Sequence, residues 1–74
     1  MPLFERITYS AHASSRMRQR RISSEEVALV LRIGEGYEDD NGNWVYELGR
    51  LRVVIQARED EAHVITAIKL RGRQ

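Results

Sequence analysis

The sequence predicts an α+β domain: two N-terminal helices packed on an antiparallel β-meander in two layers. Three observations carry this. Ser23 and Glu26 flank a helix start inside the basic stretch Ser10–Glu26. Residues 44–55 alternate apolar and polar around Gly49-Arg50. The last β-rich run, 63–70, is apolar on both faces, as suits a central strand. Helices on one side of the chain and strands on the other make a two-layer α+β arrangement.

Taken in order, Ile7, Thr8 and Tyr9 give a first strand over 5–9. Ser10 can cap a helix over 11–20. Ser23 at the N-cap with Glu26 at N3 forms a capping box, and Ile22 with Val27 a hydrophobic staple, so a second helix is placed at 24–33. Val27, Val30 and Leu31 lie on its inner face, and Gly34 ends it as a C′ glycine. Asn41-Gly42 reads as a type I′ hairpin after a short strand at 37–39. A calcium loop is rejected there: with Gly42 as its glycine, the bidentate twelfth position falls on Leu48.

Trp44, Tyr46 and Leu48 share one face, and a type II′ turn at Gly49-Arg50 sets Leu51, Val53 and Ile55 opposite them. This face is the one for the helices to cover. The face bearing Val45, Glu47, Arg52, Val54 and Gln56 is left partly open. Arg58–Ala62 reads as a charged turn. In the last run Val64, Thr66, Ile68 and Leu70 oppose Ile65, Ala67 and Lys69, and 71–74 form a frayed basic tail.

Seventy-four residues make a single domain, 1–74. A chain of this length buries only about 60% of its unfolded surface. There is no cysteine, so neither a disulfide nor a thiolate-bound metal can staple the fold. No apolar run approaches a signal or membrane segment, so a soluble cytoplasmic protein with no membrane partner is expected. Paired carboxylates, metal-ligand clusters and phosphate-binding glycine loops do not appear, and no metal or cofactor is expected.

Net charge is only +1, but its distribution is uneven. Arg16, Arg18, Arg20 and Arg21 crowd a stretch free of acids. His12, Arg16 and Arg20, spaced i, i+4, i+8, fall in one stripe of a helix beside Ala13 and Met17. Arginine offers a planar fork suited to phosphate. The plainer reading is a solvated basic face. The two short helices could imitate a helix-turn-helix. The second, however, carries Glu25 and Glu26 where a groove-reading helix needs Arg, Asn or Gln.

The segment His12-Ala13-x-x-Arg16-Met17-x-x-Arg20-x-Ile22-Ser23, an acid-capped helix and a meander ending in Val64-Ile65-Thr66-Ala67 resemble a bacterial domain family of unknown function. That family is similar to the RelE-like toxins, within the barnase-, EndoU- and RelE-type nucleases. The resemblance covers residues 7 to 70. It implies a RelE-like two-layer fold and metal-independent endoribonuclease chemistry, in which a ribose 2′-OH attacks the adjacent phosphate. It implies RNA as substrate and a cognate antitoxin-like protein as partner. His12 would act as acid or base and Arg16 as phosphate clamp, with Arg20, Thr66 and Lys69 touching substrate.

Each of these residues also has a structural reading. His12 could bond locally, Arg16 could pair with Glu47, and Thr66 could simply be a β-former. Tyr46 belongs to the core and His63 is solvated at a turn edge. The single lysine and the basic residues gathered on the first helix depart from a ribosome-dependent toxin site. The alternatives are a non-catalytic nucleic-acid binder, or a protein-interaction module using a sheet edge or the Val45/Val54 face.

Overall fold

Hydroxyl caps start both helices. In the computed structural model, which describes residues 4–70, the Ser10 hydroxyl accepts the Ala13 N–H at 3.0 Å. It opens α1, Ala11–Arg20. The Ser23 hydroxyl accepts the Glu26 N–H at 3.1 Å while the Glu26 carboxylate accepts the Ser23 N–H at 2.8 Å, opening α2, Ser24–Ile33. This is the expected capping box. Five strands complete the chain: β1 Arg6–Tyr9, β2 Glu35–Glu38, β3 Trp44–Leu48, β4 Leu51–Arg58 and β5 Glu61–Lys69. The tail at 71–74 lies outside the described residues.

The strands form one sheet in the order β1-β5-β4-β3-β2. Strands β2 to β5 are the antiparallel meander, with Trp44, Tyr46 and Leu48 opposite Ile55, Val53 and Leu51 as expected. The sheet as a whole is mixed, because β1 pairs parallel with β5 at its edge. The link from β1 to β5 runs through both helices and strands β2 to β4, far longer than the roughly dozen residues a parallel pair needs. Ala13, Ile22, Val27, Val30 and Leu31 bury against Tyr46, Val53, Ile55, Val64 and Ala67. Tyr46 is therefore core, and its hydroxyl finds no hydrogen-bond partner among the described residues.

Three local expectations are corrected. Gly34 is not a left-handed cap: its φ is −73° and ψ 164°. A Cβ there would lie 2.5 Å from the Val30 carbonyl oxygen and 2.7 Å from that of Glu47. Close approach of the helix end to β3, not backbone freedom, requires glycine. Asn41-Gly42 is not a two-residue hairpin either. The strands stop at Glu38 and Trp44. The Asp39 carboxylate accepts the N–H groups of Asn41 and Asn43, both at 2.9 Å, and only Gly42 has positive φ. This Asx-type arrangement closes a longer loop. The 58–62 turn shrinks to Glu59-Asp60, with Glu59 at φ 51°.

A bulge in β5 alters the predicted faces. Val54 pairs with Thr66 but Ile55 with Val64, leaving Ile65 extra. The side chains turned to the core are thus Ala62, Val64 and Ala67, and Thr66 joins the helix-free face beside Val54 and Val45. One inserted residue shifts the alternation by one position.

Candidate nucleic-acid interface

Ser10 fixes where α1 begins. Its N–H donates to the Val64 carbonyl at 3.0 Å and its hydroxyl to the Ile65 carbonyl at 2.9 Å. The bulged residue thus contributes a carbonyl that anchors the helix start. His12 follows two residues later, exposed on the first turn. Arg16 and Arg20 are exposed one and two turns on. At 100° per residue all three lie along one flank of α1, beside the buried Ala13.

The far end of α1 closes in a Schellman turn. The Ile22 N–H donates to the Met17 carbonyl at 2.9 Å and Arg21 sits in the left-handed region at φ 57°. A glycine would adopt this conformation freely; arginine there costs roughly 1 kcal/mol. The turn packs Ile22 into the core and presents Arg21 to solvent.

Arginines are concentrated on and just after α1: Arg16, Arg18, Arg20 and Arg21. Among the described residues the ion pairs are Arg6 with Asp60 and Glu61, and Arg52 with Glu47. None involves Arg16, Arg18, Arg20 or Arg21. Glu47 is occupied by Arg52 Nε at 2.9 Å and the Tyr37 hydroxyl at 3.1 Å, so it does not neutralise Arg16. The first turn of α1 carries no acid. Four guanidinium groups on and just after one helix are thus available to phosphates. Lys69, exposed at the end of β5, lies near enough to Glu26 to help hold that carboxyl below its usual range; the larger cause is the Ser23 N–H.

Thr66 is not gathered with these groups. It is half-buried on the helix-free face, with the sheet between it and α1. That face carries a polar cluster the sequence did not reveal. The Thr8 hydroxyl donates to the Glu61 carboxylate at 2.7 Å and lies 2.9 Å from His63 Nδ1. His63 is half-buried within β5, not solvated at a turn. The only signal was the parallel β1–β5 pairing, which no local pattern encodes.

No helix among the described residues is long and apolar enough to cross a membrane. No curated protein and no solved structure matches the chain. Residues 9–69, which include the His12–Ser23 segment and both helices, match a family described as a domain of unknown function, and the chain belongs to that family, DUF4258.

Proposed function

We propose that this domain binds single-stranded RNA along α1 and cleaves it without a metal, as a cytoplasmic endoribonuclease of RelE-like toxin type. The observation that carries the reading is the cluster of arginines without carboxylate partners on and beside the helix whose first turn holds His12. In the reaction a ribose 2′-oxygen attacks the adjacent phosphorus and the bond to the 5′-oxygen breaks. The 2′-OH proton goes to a base, and an acid protonates the leaving oxygen. The products are a 2′,3′-cyclic phosphate and a 5′-hydroxyl. His12 supplies one of the two proton transfers, Arg16 holds the phosphate as charge builds on it, and Arg20 and Lys69 bind flanking phosphates. A cell making such an enzyme holds it in check with a cognate antitoxin-like protein.

The test is incubation of purified protein with RNA in excess chelator, followed by mapping of ends. Wild type is expected to leave 2′,3′-cyclic phosphate ends. His12→Ala is expected to lose cleavage with its circular dichroism intact, and Arg16→Ala to lose most of it. Growth arrest on induction should follow the same order.

A second reading, a non-catalytic module of the same fold, is favoured by one observation. Among the described residues no side chain hydrogen-bonds His12 to orient its ring, whereas catalytic bases are commonly held by a third group. RNA binding by wild type without any cleavage would select it.

A further inference from the structure

The two flanks of α1 differ. His12, Arg16 and Arg20 line one. On the other, across the Ala13–Met17 line, Ser14 and Arg18 stand one turn apart and face a groove of about 280 Å³. Its remaining walls are Tyr9 at the end of β1, Met17, Ile22 and Ser24 at the start of α2. The floor is apolar: Ile22 is buried and Met17 packs against the core. The rim is polar, with three hydroxyls and the Arg18 guanidinium.

We propose that this groove is a nucleobase pocket, taking one unstacked base of the single-stranded RNA that α1 binds. The inference rests on the RNA-binding reading above and adds a base site to it. The chemistry selects the occupant. A bare phosphate would gain nothing from a floor of thioether and alkyl carbons. An aliphatic peptide side chain would make no use of the guanidinium and the hydroxyls on the rim. A base has flat apolar faces and a rim of donors and acceptors, which is the arrangement these walls complement. The volume lies just below the usual range for small-ligand pockets, about 300–1,000 Å³, so it suits one ring system. Unstacked bases are what proteins read in RNA, and arginine planes and apolar walls hold them sequence-tolerantly. Charge complementarity is supplied by the helix itself. Arg18 has no carboxylate partner among the described residues, nor have Arg16, Arg20 and Arg21, so a strand over α1 has phosphate partners on both flanks. Burial first, and the Glu25 charge second, push the Tyr9 phenol up, so it remains a donor to the base edge at neutral pH.

The experiment compares binding of a fluorescein-labelled single-stranded oligoribonucleotide with that of the same chain made abasic, by anisotropy. Wild type is expected to hold the intact strand about tenfold tighter. Ser14→Phe, a change at an exposed position that fills the groove, is expected to erase that difference while abasic binding stays as in wild type. Arg18→Ala should weaken the intact strand more than the abasic one, and Arg16→Ala should weaken both strands equally. In amide spectra, uridine or adenosine monophosphate should shift Ser14, Met17 and Ile22, and inorganic phosphate should not. Equal affinity for intact and abasic strands, with Arg16→Ala still weakening both, overturns the base pocket and leaves backbone binding standing. Shifts produced equally by inorganic phosphate also overturn it. Absence of binding to either strand overturns both readings.

Discussion

On the helix-free face, Thr8 and His63 meet across the parallel β1–β5 pair, with the threonine hydroxyl 2.9 Å from the imidazole Nδ1. Thr8 has one hydroxyl proton, and it goes to the Glu61 carboxylate at 2.7 Å, which only accepts. Nδ1 must then carry a hydrogen, so neutral His63 is the Nδ1–H tautomer with Nε2 as the free acceptor. Imidazole nitrogen shifts should show that tautomer as the major neutral form. Thr8→Val should restore a mixture dominated by Nε2–H. A wild-type ring already dominated by Nε2–H would contradict the relay.

Arg21 and Glu59 are the two non-glycine residues with positive φ among those described, at 57° and 51°. Glycine at either position should raise stability by about 0.5–1 kcal/mol, seen as a higher midpoint in urea. The two should part in RNA binding. Glu59→Gly lies at the β4–β5 turn, away from α1, and should leave affinity unchanged. Arg21→Gly should weaken binding and flatten its salt dependence by about one ion. If both variants bind alike, Arg21 takes no part in the interface.

Gly34 and Gly36 separate two reasons for glycine at negative φ. A Cβ on Gly34 meets the Val30 carbonyl oxygen of α2 at 2.5 Å and the Glu47 carbonyl oxygen of β3 at 2.7 Å, backbone atoms that cannot give as a side chain can. A Cβ on Gly36 meets the Tyr46 ring at 2.6 Å, and a ring can tilt. Gly34→Ala should therefore fall at the upper end of the overpacking range of about 1–3 kcal/mol and Gly36→Ala lower in it. Thermal unfolding of the two variants settles the order. A milder loss at Gly34 would mean that the end of α2 can move.

The features legible in sequence were those written locally. The Ser23/Glu26 box, the Ser10 cap and the Trp44–Leu48/Leu51–Ile55 register each depend on residues a few positions apart, and each appears as expected. Long-range pairing was not legible. The parallel β1–β5 contact joins positions 55 apart in sequence at Thr8 and His63, and it created the polar cluster. The Ile65 bulge was hidden because Val64–Ala67 reads equally well in either register; it alone decided that Thr66 would face away from α1. Gly34 was recognised as a helix end, but its physical reason, a carbonyl of β3 pressed close, exists only once the sheet has formed. Within the candidate site the His12–Arg16–Arg20 flank followed from helical spacing. The groove on the opposite flank needed the fold of Tyr9 and Ile22 around Met17.

Tyr46 tests how the core tolerates a polar atom. Its ring is buried between Phe4 at 6.4 Å, edge-on, and Trp44 at 6.2 Å, and burial pushes its phenol up. The hydroxyl finds no partner among the described residues. Phenylalanine would keep the ring contacts and remove an unsatisfied group whose burial costs about 1–3 kcal/mol. Tyr46→Phe should be neutral or raise the melting temperature. A clear fall would show that the hydroxyl is bonded in solution.

The α2 capping box makes part of the stability depend on pH. The Glu26 carboxyl is lowered from 4.5, first by the Ser23 N–H it accepts, although burial opposes this. A carboxyl lowered in the folded state adds stability that is complete above its unfolded value and is lost as pH falls through the folded one. Glu26→Gln can still accept the Ser23 N–H but does not titrate. Wild type should therefore melt above Glu26→Gln at pH 7, and the gap should close as pH drops below 4.5. Ser23→Ala removes the other half of the box and should cost about 1 kcal/mol, more at pH 7 than in acid, because the Ser23 hydroxyl also helps to lower the Glu26 carboxyl. A gap between wild type and Glu26→Gln that persists at low pH would mean that glutamate acts there through something other than its charge. A Ser23→Ala loss that disappeared with acid would show that the serine works only by holding the carboxylate, and not as a cap in its own right.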